Sequence, residues 1–511
     1  MGGLFGVITR NNCADDLFYG LDYHSHLGTT IGGIAVLSDK IMEPIYHDIS
    51  NSQFKSEFKE DFTKINGNWG IGIISSRKDD KQPLIFQSKI GTFALCTDGA
   101  IKNSNELALE MIENGVSFNT LTNGFNLTEL VGKIICTGNS ITDGISKMYQ
   151  RINGSVSILL LSEDEKCIYA SSGVFPLSVG KKKTDNGEDW AIASETTAFS
   201  NLKYKIHEYP RYKDIITIGE TGLKRRMRSK ESIVFCPFLH VYFDFPTSNH
   251  YGINGEIVRE RCGGFLAEDD DVDQNLVMGV ADSGIPHAFG YVKRKTELAI
   301  QKSKEALNLF TQKEIGPSEL KDILLNHLES ITPLRRPVIK FTPGWGRSYI
   351  PPHQGTRDLI AYFKQVSNPQ IIRDQSIVLV DDSIRRGTQL QKFLKNKIWP
   401  YEPKEIHARI ASPPQLFPCY FDETTLESDL IARRAVKKIE DVEPENLSEY
   451  QDVNCSKYRT MVDIINESIG ATSLKYISLK NMIKAVIEVQ GNTLLKENNL
   501  CTYCWTGKNP F

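Results

Sequence analysis

Residues 376–390, SIVLVDDSIRRGTQL, constrain this chain more than any other stretch. Four apolar residues, 377–380, form a strand buried on both faces, and that strand ends in two adjacent carboxylates, Asp381 and Asp382. A short loop follows, Ser383-Ile384-Arg385-Arg386-Gly387-Thr388, and then helical sequence. Small and hydroxylated residues at a helix start present free backbone N–H groups and hydroxyls to an anion. Adjacent carboxylates at a strand's carboxyl end accept hydrogen bonds from vicinal hydroxyls or hold Mg²⁺, directly or through water. A phosphate beside a diol is a ribose 5-phosphate. The plain alternative is a βα turn whose Asp pair is surface charge and helix cap; the full strand–DDSIxRGT–helix arrangement favours the ligand loop.

The chain around that loop has two rhythms. From residue 1 to 235, short apolar runs (LFGVI, IGGIAVL, WGIGII, TFALC, SVSILLL, KCIYASS) are separated by Gly, Asn and Asp. This spacing predicts antiparallel sheets with helices packed on them, one near residues 105–114. From about 250 onward, buried strands (LVMGVA, SIVLVDD, EIHARIA) alternate with helical stretches (PHAFGYVKRK, TQLQKFLKN), the βαβ pattern of a parallel sheet. Residues 302–332, charged and amphipathic with a Gly316-Pro317 break, are expected to be a helical insertion in the second domain.

Bulk properties exclude several classes. With 511 residues the chain has material for two or three domains. A net charge of −3 without a basic stripe argues against a nucleic-acid partner. There is no apolar run of about 18 residues and no signal-peptide pattern, so no membrane partner is expected and the cytoplasm is the expected location. Gly6 stands where an N-myristoylation signal needs Ser or Thr. Ten cysteines are too sparse for a disulfide scaffold. Cys501-Thr502-Tyr503-Cys504 is a CxxC, which by itself fits a redox pair, half a zinc site, or neither.

The wording VLVDDSIRRGT resembles the phosphoribosyl pyrophosphate (PRPP) motif of the glutamine PRPP amidotransferase (amidophosphoribosyltransferase) family, which begins purine synthesis. GVADSGI (279–285) resembles the family's pyrophosphate loop, with Ala281 where Pro is usual. YFDFPTSNHYGING is similar to its domain junction, ASETTAFS to a glutaminase-side signature, and ASPPQLFPC to the strand after the PRPP helix. These matches fall in the family's order along nearly the whole chain. The resemblance implies an α+β N-terminal-nucleophile-type αββα sandwich over 1–235. An α/β type I phosphoribosyltransferase domain with a parallel sheet and a cysteine-bearing tail follows over 236–511.

The resemblance also implies roles. Asp381 and Asp382 would hold the ribose hydroxyls and, with Ser283, the Mg²⁺ shell. Ser383, Arg386, Gly387 and Thr388 would cradle the 5-phosphate, and Asp282, Ser283 and Gly284 the pyrophosphate. Gln389 departs from the family's usual Thr. A closing loop corresponds to KFTPGWGRSY (340–349): Lys340, Gly346, Arg347 and Tyr349 fit, while FTPGW does not. Cysteines in the contexts of Cys236, Cys419, Cys501 and Cys504 hold a [4Fe–4S] cluster in part of the family; zinc would use the same ligands. Cys13, Cys96, Cys136, Cys167, Cys262 and Cys455 are expected to be inert thiols.

The family hydrolyses glutamine with an N-terminal Cys whose own amine is the base. Here that position is Gly2, which has no nucleophile. Leu27 and Ser75 stand where arginines are expected, Asp98 replaces the Asn of the oxyanion hole, Leu127 the Asp that binds the substrate amine, and Phe175 another Arg. Nucleophile, carboxylate clamp, oxyanion donor and amine acceptor are lost together, so the glutaminase half is expected to be inactive while its fold persists. Cys13, in the polar turn RNNCADD, suits neither the strand edge nor an N-terminal base.

The expected function is therefore transfer of ammonia to C1 of PRPP with release of pyrophosphate, the ammonia being free or supplied by a partner. The alternatives are a non-catalytic PRPP- or nucleotide-binding regulatory homologue, and a PRPP-using transferase with another amine. By resemblance, purine nucleotide effectors and a homo-oligomer are expected.

Overall fold

In the computed structural model Gly2–Ile8 is an inner strand of a seven-stranded antiparallel sheet. It lies between Trp69–Ser75 and Gly187–Ala193, with Phe5 opposite both Gly72 and Ala193. The structure describes residues 2–50, 52–77, 81–119, 125–268, 270–341, 363–421, 426–440, 447–489 and 494–509.

All seven residues of that first strand are buried because both faces are covered. Leu4 and Ile8 point one way, into a core shared with Leu159, Leu161, Ile168 and Ala170 of a second, six-stranded sheet. Phe5 and Val7 point the other way and meet Leu17 and Leu21 of the helix Ala14–Asp22. The glycines of WGIGII form the shelf for that helix: a Cβ on Gly70 would stand 2.6 Å from Leu17, and one on Gly72 2.5 Å from Leu21. Helices Leu127–Cys136 and Ile141–Arg151 cover the outer face of the second sheet. The result is the four-layered αββα sandwich that the strand rhythm and the resemblance imply. The helix near 105–114 is Ser104–Glu113.

The second half carries a four-stranded parallel sheet in the order Leu276–Gly279, Ser376–Asp381, Glu405–Ile410, Ser473–Tyr476. Residues of the middle strands are buried on both sides, as the unbroken apolar runs require. Residues 302–332 differ from the expectation in where they begin. The helix Gly284–Thr311 runs unbroken from the first parallel strand's crossover, so its distal part is the outward continuation of a core helix. The break falls where Gly316-Pro317 predicts: Gly316 is extended and Pro317 opens the helix Pro317–Glu329. That second helix buries none of its own residues and packs on the first, around Ala299 and Ala306.

The two halves share a core. Val174, Phe175 and Tyr212 pack with Phe235, Phe238, Tyr251 and the tail residues Leu500, Cys501 and Trp505. Phe235 and Leu500 form a parallel bridge, with Phe235 N–H donating to Asn499 O and Cys501 N–H to Phe235 O. The junction near 235 is thus a stitched seam, closed by the chain's last residues. Among the described residues no helix is long and apolar enough to cross a membrane.

Candidate functional site

Asp381 ends its strand and Asp382 follows it, both buried at the carboxyl edge of the parallel sheet. The two carboxyl groups meet with little solvent. Burial, and then the Asp382 charge, push the Asp381 carboxyl well above its ordinary range. Burial also raises Asp382, opposed by hydrogen bonds from the Ser283 and Ser383 hydroxyls, the latter at 2.6 Å. Two neighbouring buried carboxylates without a cation are costly, and a divalent ion with diol hydroxyls relieves that cost.

Ser283 reaches Asp382 because the loop 280–283 and the helix it opens press closely against the neighbouring strand. Gly284 begins that helix, and a Cβ there would run into the Val380 carbonyl. A Cβ on Gly279 would stand 2.5 Å from the Gly284 carbonyl oxygen. Glycine at both positions lets the helix start approach the Asp pair. Asp282 lies in the same turn after a cis Ala281–Asp282 peptide, largely exposed and paired with Lys340 Nζ at 2.8 Å. Lys340 ends the strand Val338–Lys340, and its ion pair brings together two of the residues singled out in the sequence. Arg347 lies outside the described residues.

The loop 383–388 is braced from behind. Gly387 has φ +78°, and a Cβ there would collide with Ile431, so glycine is required on both counts. Ile431 N–H donates to Arg385 O, and Arg434 donates to Arg386 O at 2.7 Å. The Arg386 guanidinium is held by Asp429 at 2.8 Å, so this residue offers the loop its backbone, while its side chain faces the brace. Thr388 is the first residue of the next helix, with Gln389 after it. Asp429, Ile431 and Arg434 were not legible beforehand, since no motif ties a turn some 40 residues downstream to this loop. Tyr242, which no motif marks, lies within electrostatic reach of Asp382 and Asp381, on a turn from the domain junction.

Cys236, Cys419, Cys501 and Cys504 come together at the seam. Cys504 shares a hydrogen bond with Cys419, which with burial and the three neighbouring sulfurs drives its thiol well up. Burial, then Cys501 and Cys419, do the same to Cys236; burial leads for Cys501, pushed up to about 12. Leu416 and Phe417 N–H groups both donate to Cys504 O at 3.0 Å, fixing the tail against residues 416–419. Among the described residues no three His, Cys, Asp or Glu side chains converge to hold a single metal ion. The other six cysteines include none in this group; Cys13, Cys96, Cys167 and Cys262 are buried.

In the first half, two of the expected pocket positions, Ser75 and Asp98, lie beside Gly2. A Cβ there would lie 2.9 Å from the Ile74 carbonyl and 3.3 Å from an Asp98 carboxylate oxygen. Ser75 is buried, its hydroxyl accepting from Arg77 N–H. The Arg77 guanidinium, two positions from the expected arginine, donates to the Gly99 carbonyl. Leu127 and Phe175 are buried in apolar cores, where neither can receive an amine or a carboxylate. Leu27 is half-buried after the turn that carries His24 and His26.

A family model for the glutamine amidotransferase domain matches residues 58–201. The amidophosphoribosyltransferase of Bacillus subtilis is 25% identical over 99% of this chain and 94% of its own. That of Archaeoglobus fulgidus is 26% identical over 96% and 94%, and that of Methanocaldococcus jannaschii 25% over 100% and 98%. The solved B. subtilis glutamine PRPP amidotransferase, complexed with ADP and GMP, has the same fold, with a TM-score of 0.76 at 24% identity over 99% of this chain and 97% of that one. Fold and site define a glutamine-amidotransferase-type sandwich fused to a phosphoribosyltransferase domain. Within that class, the chain is similar along nearly its whole length to the amidophosphoribosyltransferases.

Proposed function

We propose that this protein binds PRPP with Mg²⁺ and transfers ammonia to its C1 carbon in purine synthesis, releasing pyrophosphate, without hydrolysing glutamine itself. The observation that carries the reading is the buried Asp381–Asp382 pair facing Ser283 and Ser383. Asp381 and Asp382 accept the ribose hydroxyls and, with Ser283, hold Mg²⁺. Backbone groups of Ser383, Arg386, Gly387 and Thr388 hold the 5-phosphate at the start of the helix. Asp282, Ser283 and Gly284 face the leaving pyrophosphate, with Lys340 as a cation on that side. Mg²⁺, when bound, supplies the positive charge that stabilises the departing diphosphate.

Gly2, with no side chain, cannot form the acyl intermediate of glutamine hydrolysis, and Asp98 sets an anion where an oxyanion needs a donor. The amine therefore arrives as ammonia, free or from a partner. The four seam thiols lie within reach of one another and resist ionising without a compensating cation. We assign them to a [4Fe–4S] cluster of structural role, since thiolates spread around a multi-iron core need not converge on one ion as zinc ligands do. ADP and GMP in the B. subtilis complex support purine nucleotide effectors here as well. A cytoplasmic homo-oligomer completes the reading.

Pyrophosphate release from PRPP, measured with ammonium, with glutamine and with neither, tests it. Release that requires ammonium is expected. Glutamine-dependent release by the isolated chain would overturn the first-half reading, and PRPP binding without release would make the protein a regulatory binding subunit.

A further inference from the structure

The junction between the halves holds a buried charged cluster that the proposed chemistry does not use. Asp244 follows a π-helical turn, Leu239–Phe243, and is 5% exposed. One of its carboxylate oxygens lies 2.9 Å from His240 Nδ1 and 3.5 Å from His250 Nε2. Both imidazoles are buried, with ring centroids 5.7 Å apart. From the first half Glu195, fully buried, faces the same cluster. Its Oε2 accepts Phe245 N–H at 3.1 Å and lies 3.2 Å from His26 Nε2.

These groups sit where the halves are laced together. Asn249 N–H donates to Thr196 Oγ1 at 2.8 Å, and the Thr197 and Thr247 hydroxyls meet at 2.9 Å. Ser248 Oγ lies 3.4 Å from both Thr196 Oγ1 and His250 Nε2. The turn 195–197 of the first half therefore grips the segment 244–250 of the second, with Asp244 and His250 directly behind the contact.

Three imidazoles approach the two carboxylates of this cluster, His240 and His250 at Asp244 and His26 at Glu195. Two carboxylates, Asp244 and Glu195, face one guanidinium, Arg259, which is spent on the carbonyls of His240, Tyr242 and Asp244. His24 is neutral: burial takes it down to about 4, and its Nε2 accepts Glu195 N–H. Burial and Arg259 likewise take His287 down to about 3, its Nε2 facing Val241 O. Burial lowers His240 too, against the pull of Asp244. Burial would lower His250 as well, but Asp244 and then Glu195 outweigh it and raise it above its ordinary value. The Asp244 carboxylate, which burial alone would raise, is held far below its usual range by His250 and His240. The approach of Asp244 Oδ2 to the rings is ionic, without a well-aligned hydrogen bond, so charge is what holds it.

We propose that the His250–Asp244 pair is a protonation-controlled clasp behind the contact between the two halves, holding the segment 244–250 in place while His250 carries a proton and releasing it when the proton leaves. This goes beyond the assigned transfer reaction and does not depend on it. A histidine whose folded value is raised contributes stability that is complete below about 6.5, its unfolded value, and lost as pH rises through the folded value. Loss of that proton leaves Asp244 a buried carboxylate with no cation turned toward it. The clasp also bears on the PRPP site, because Tyr242, near Asp381 and Asp382, lies on the turn that Asp244 ends.

Hydrogen exchange of the ligand-free full-length protein between pH 6 and pH 9, corrected for intrinsic rates, tests the clasp. Exchange of segments 195–201 and 239–254 is expected to rise relative to the parallel strands, by roughly tenfold per pH unit above the His250 value. A charge-free Asp244→Asn/His250→Gln variant is expected to lose that pH dependence, and His250→Gln alone to be loose already at pH 6. Uniform exchange across the pH range, or an unchanged pH dependence in the double variant, overturns the proposal. Should His250→Gln not fold, the double variant decides alone.

Discussion

Asp98 holds a carboxylate oxygen 3.3 Å from the point at which a side chain on Gly2 would begin. Restoring a cysteine there therefore does not restore glutamine hydrolysis. The Asp98 charge raises the pKa of the introduced thiol and repels a developing oxyanion. Loss of one oxyanion donor alone costs about 10²–10³ in rate. Gly2→Cys is expected to release no glutamate above background, and Gly2→Cys/Asp98→Asn to have the lower thiol pKa of the two by titration of thiol reactivity. Glutamate release by Gly2→Cys alone would refute this account of the pocket.

The Asp381–Asp382 pair makes a prediction of opposite sign for stability and binding. Both carboxyls are raised in the folded state, by burial first and, for Asp381, by its neighbour's charge. An acid raised by folding loses stability for the protein as pH climbs from the ordinary carboxylate range, near 3.9, through the folded value. Asp381→Asn is therefore expected to raise the ligand-free Tm by a few degrees at pH 7 and flatten its pH dependence. The same change is expected to abolish stabilisation by Mg²⁺ with PRPP, which in the wild type amounts to about 2.7 kcal/mol at a ligand concentration 100 times Kd. Thermal melts at pH 5 and 8, with and without Mg²⁺ and PRPP, measure both effects. A lower ligand-free Tm in Asp381→Asn contradicts the electrostatic argument.

What was legible beforehand follows from the range of each interaction. The run 377–380 and the Asp pair declare themselves because strand, loop and helix are contiguous, and Gly284 and Gly387 because each answers a backbone demand that only glycine meets. The brace of Asp429 on Arg386 and the meeting of Glu195 with Phe245 were not legible. Each joins segments more than 40 residues apart through ordinary polar side chains that no spacing marks. The helix Gly284–Thr311 reads in the sequence as a core helix and a separate insertion from 302, because its distal half turns charged as it leaves the core and composition registers that exit as a new element.

The seam thiols give a third prediction. Cys504 lies in the tail that bridges Phe235 and packs Trp505 into the shared core. Anaerobically purified protein is expected to carry iron and sulfide with broad visible absorbance, and Cys504→Ser to lose it. The same substitution is expected to make residues 494–509 sensitive to limited proteolysis, because the buried thiols lose the group that compensates them. Stoichiometric zinc without iron, or an unaltered spectrum in Cys504→Ser, overturns the cluster assignment.

The last prediction concerns the support behind the parallel sheet. Asp270 binds the Arg409 guanidinium through both oxygens, at 2.5 and 2.8 Å, and accepts the Tyr291 hydroxyl at 2.8 Å. The triad ties the chain after the helix Gly255–Glu268 to the strand Glu405–Ile410 and to the long helix Gly284–Thr311. Burial alone would raise the Asp270 carboxyl, but Arg409 and then Tyr291 hold it below its usual range. Its stabilising contribution is thus present above about 3.9 and is lost as pH falls through the folded value. Asp270→Asn strands a buried guanidinium and is expected to cost about 3–5 kcal/mol at pH 7. Tyr291→Phe removes one hydrogen bond to a charged acceptor, about 1.5 kcal/mol. Asp270→Leu/Arg409→Met, which removes both charges, is expected to lose far less than Asp270→Asn. Urea unfolding of the three variants at pH 7 checks that order. An Asp270→Asn no weaker than Tyr291→Phe means that the guanidinium finds water and that the sheet edge is open there.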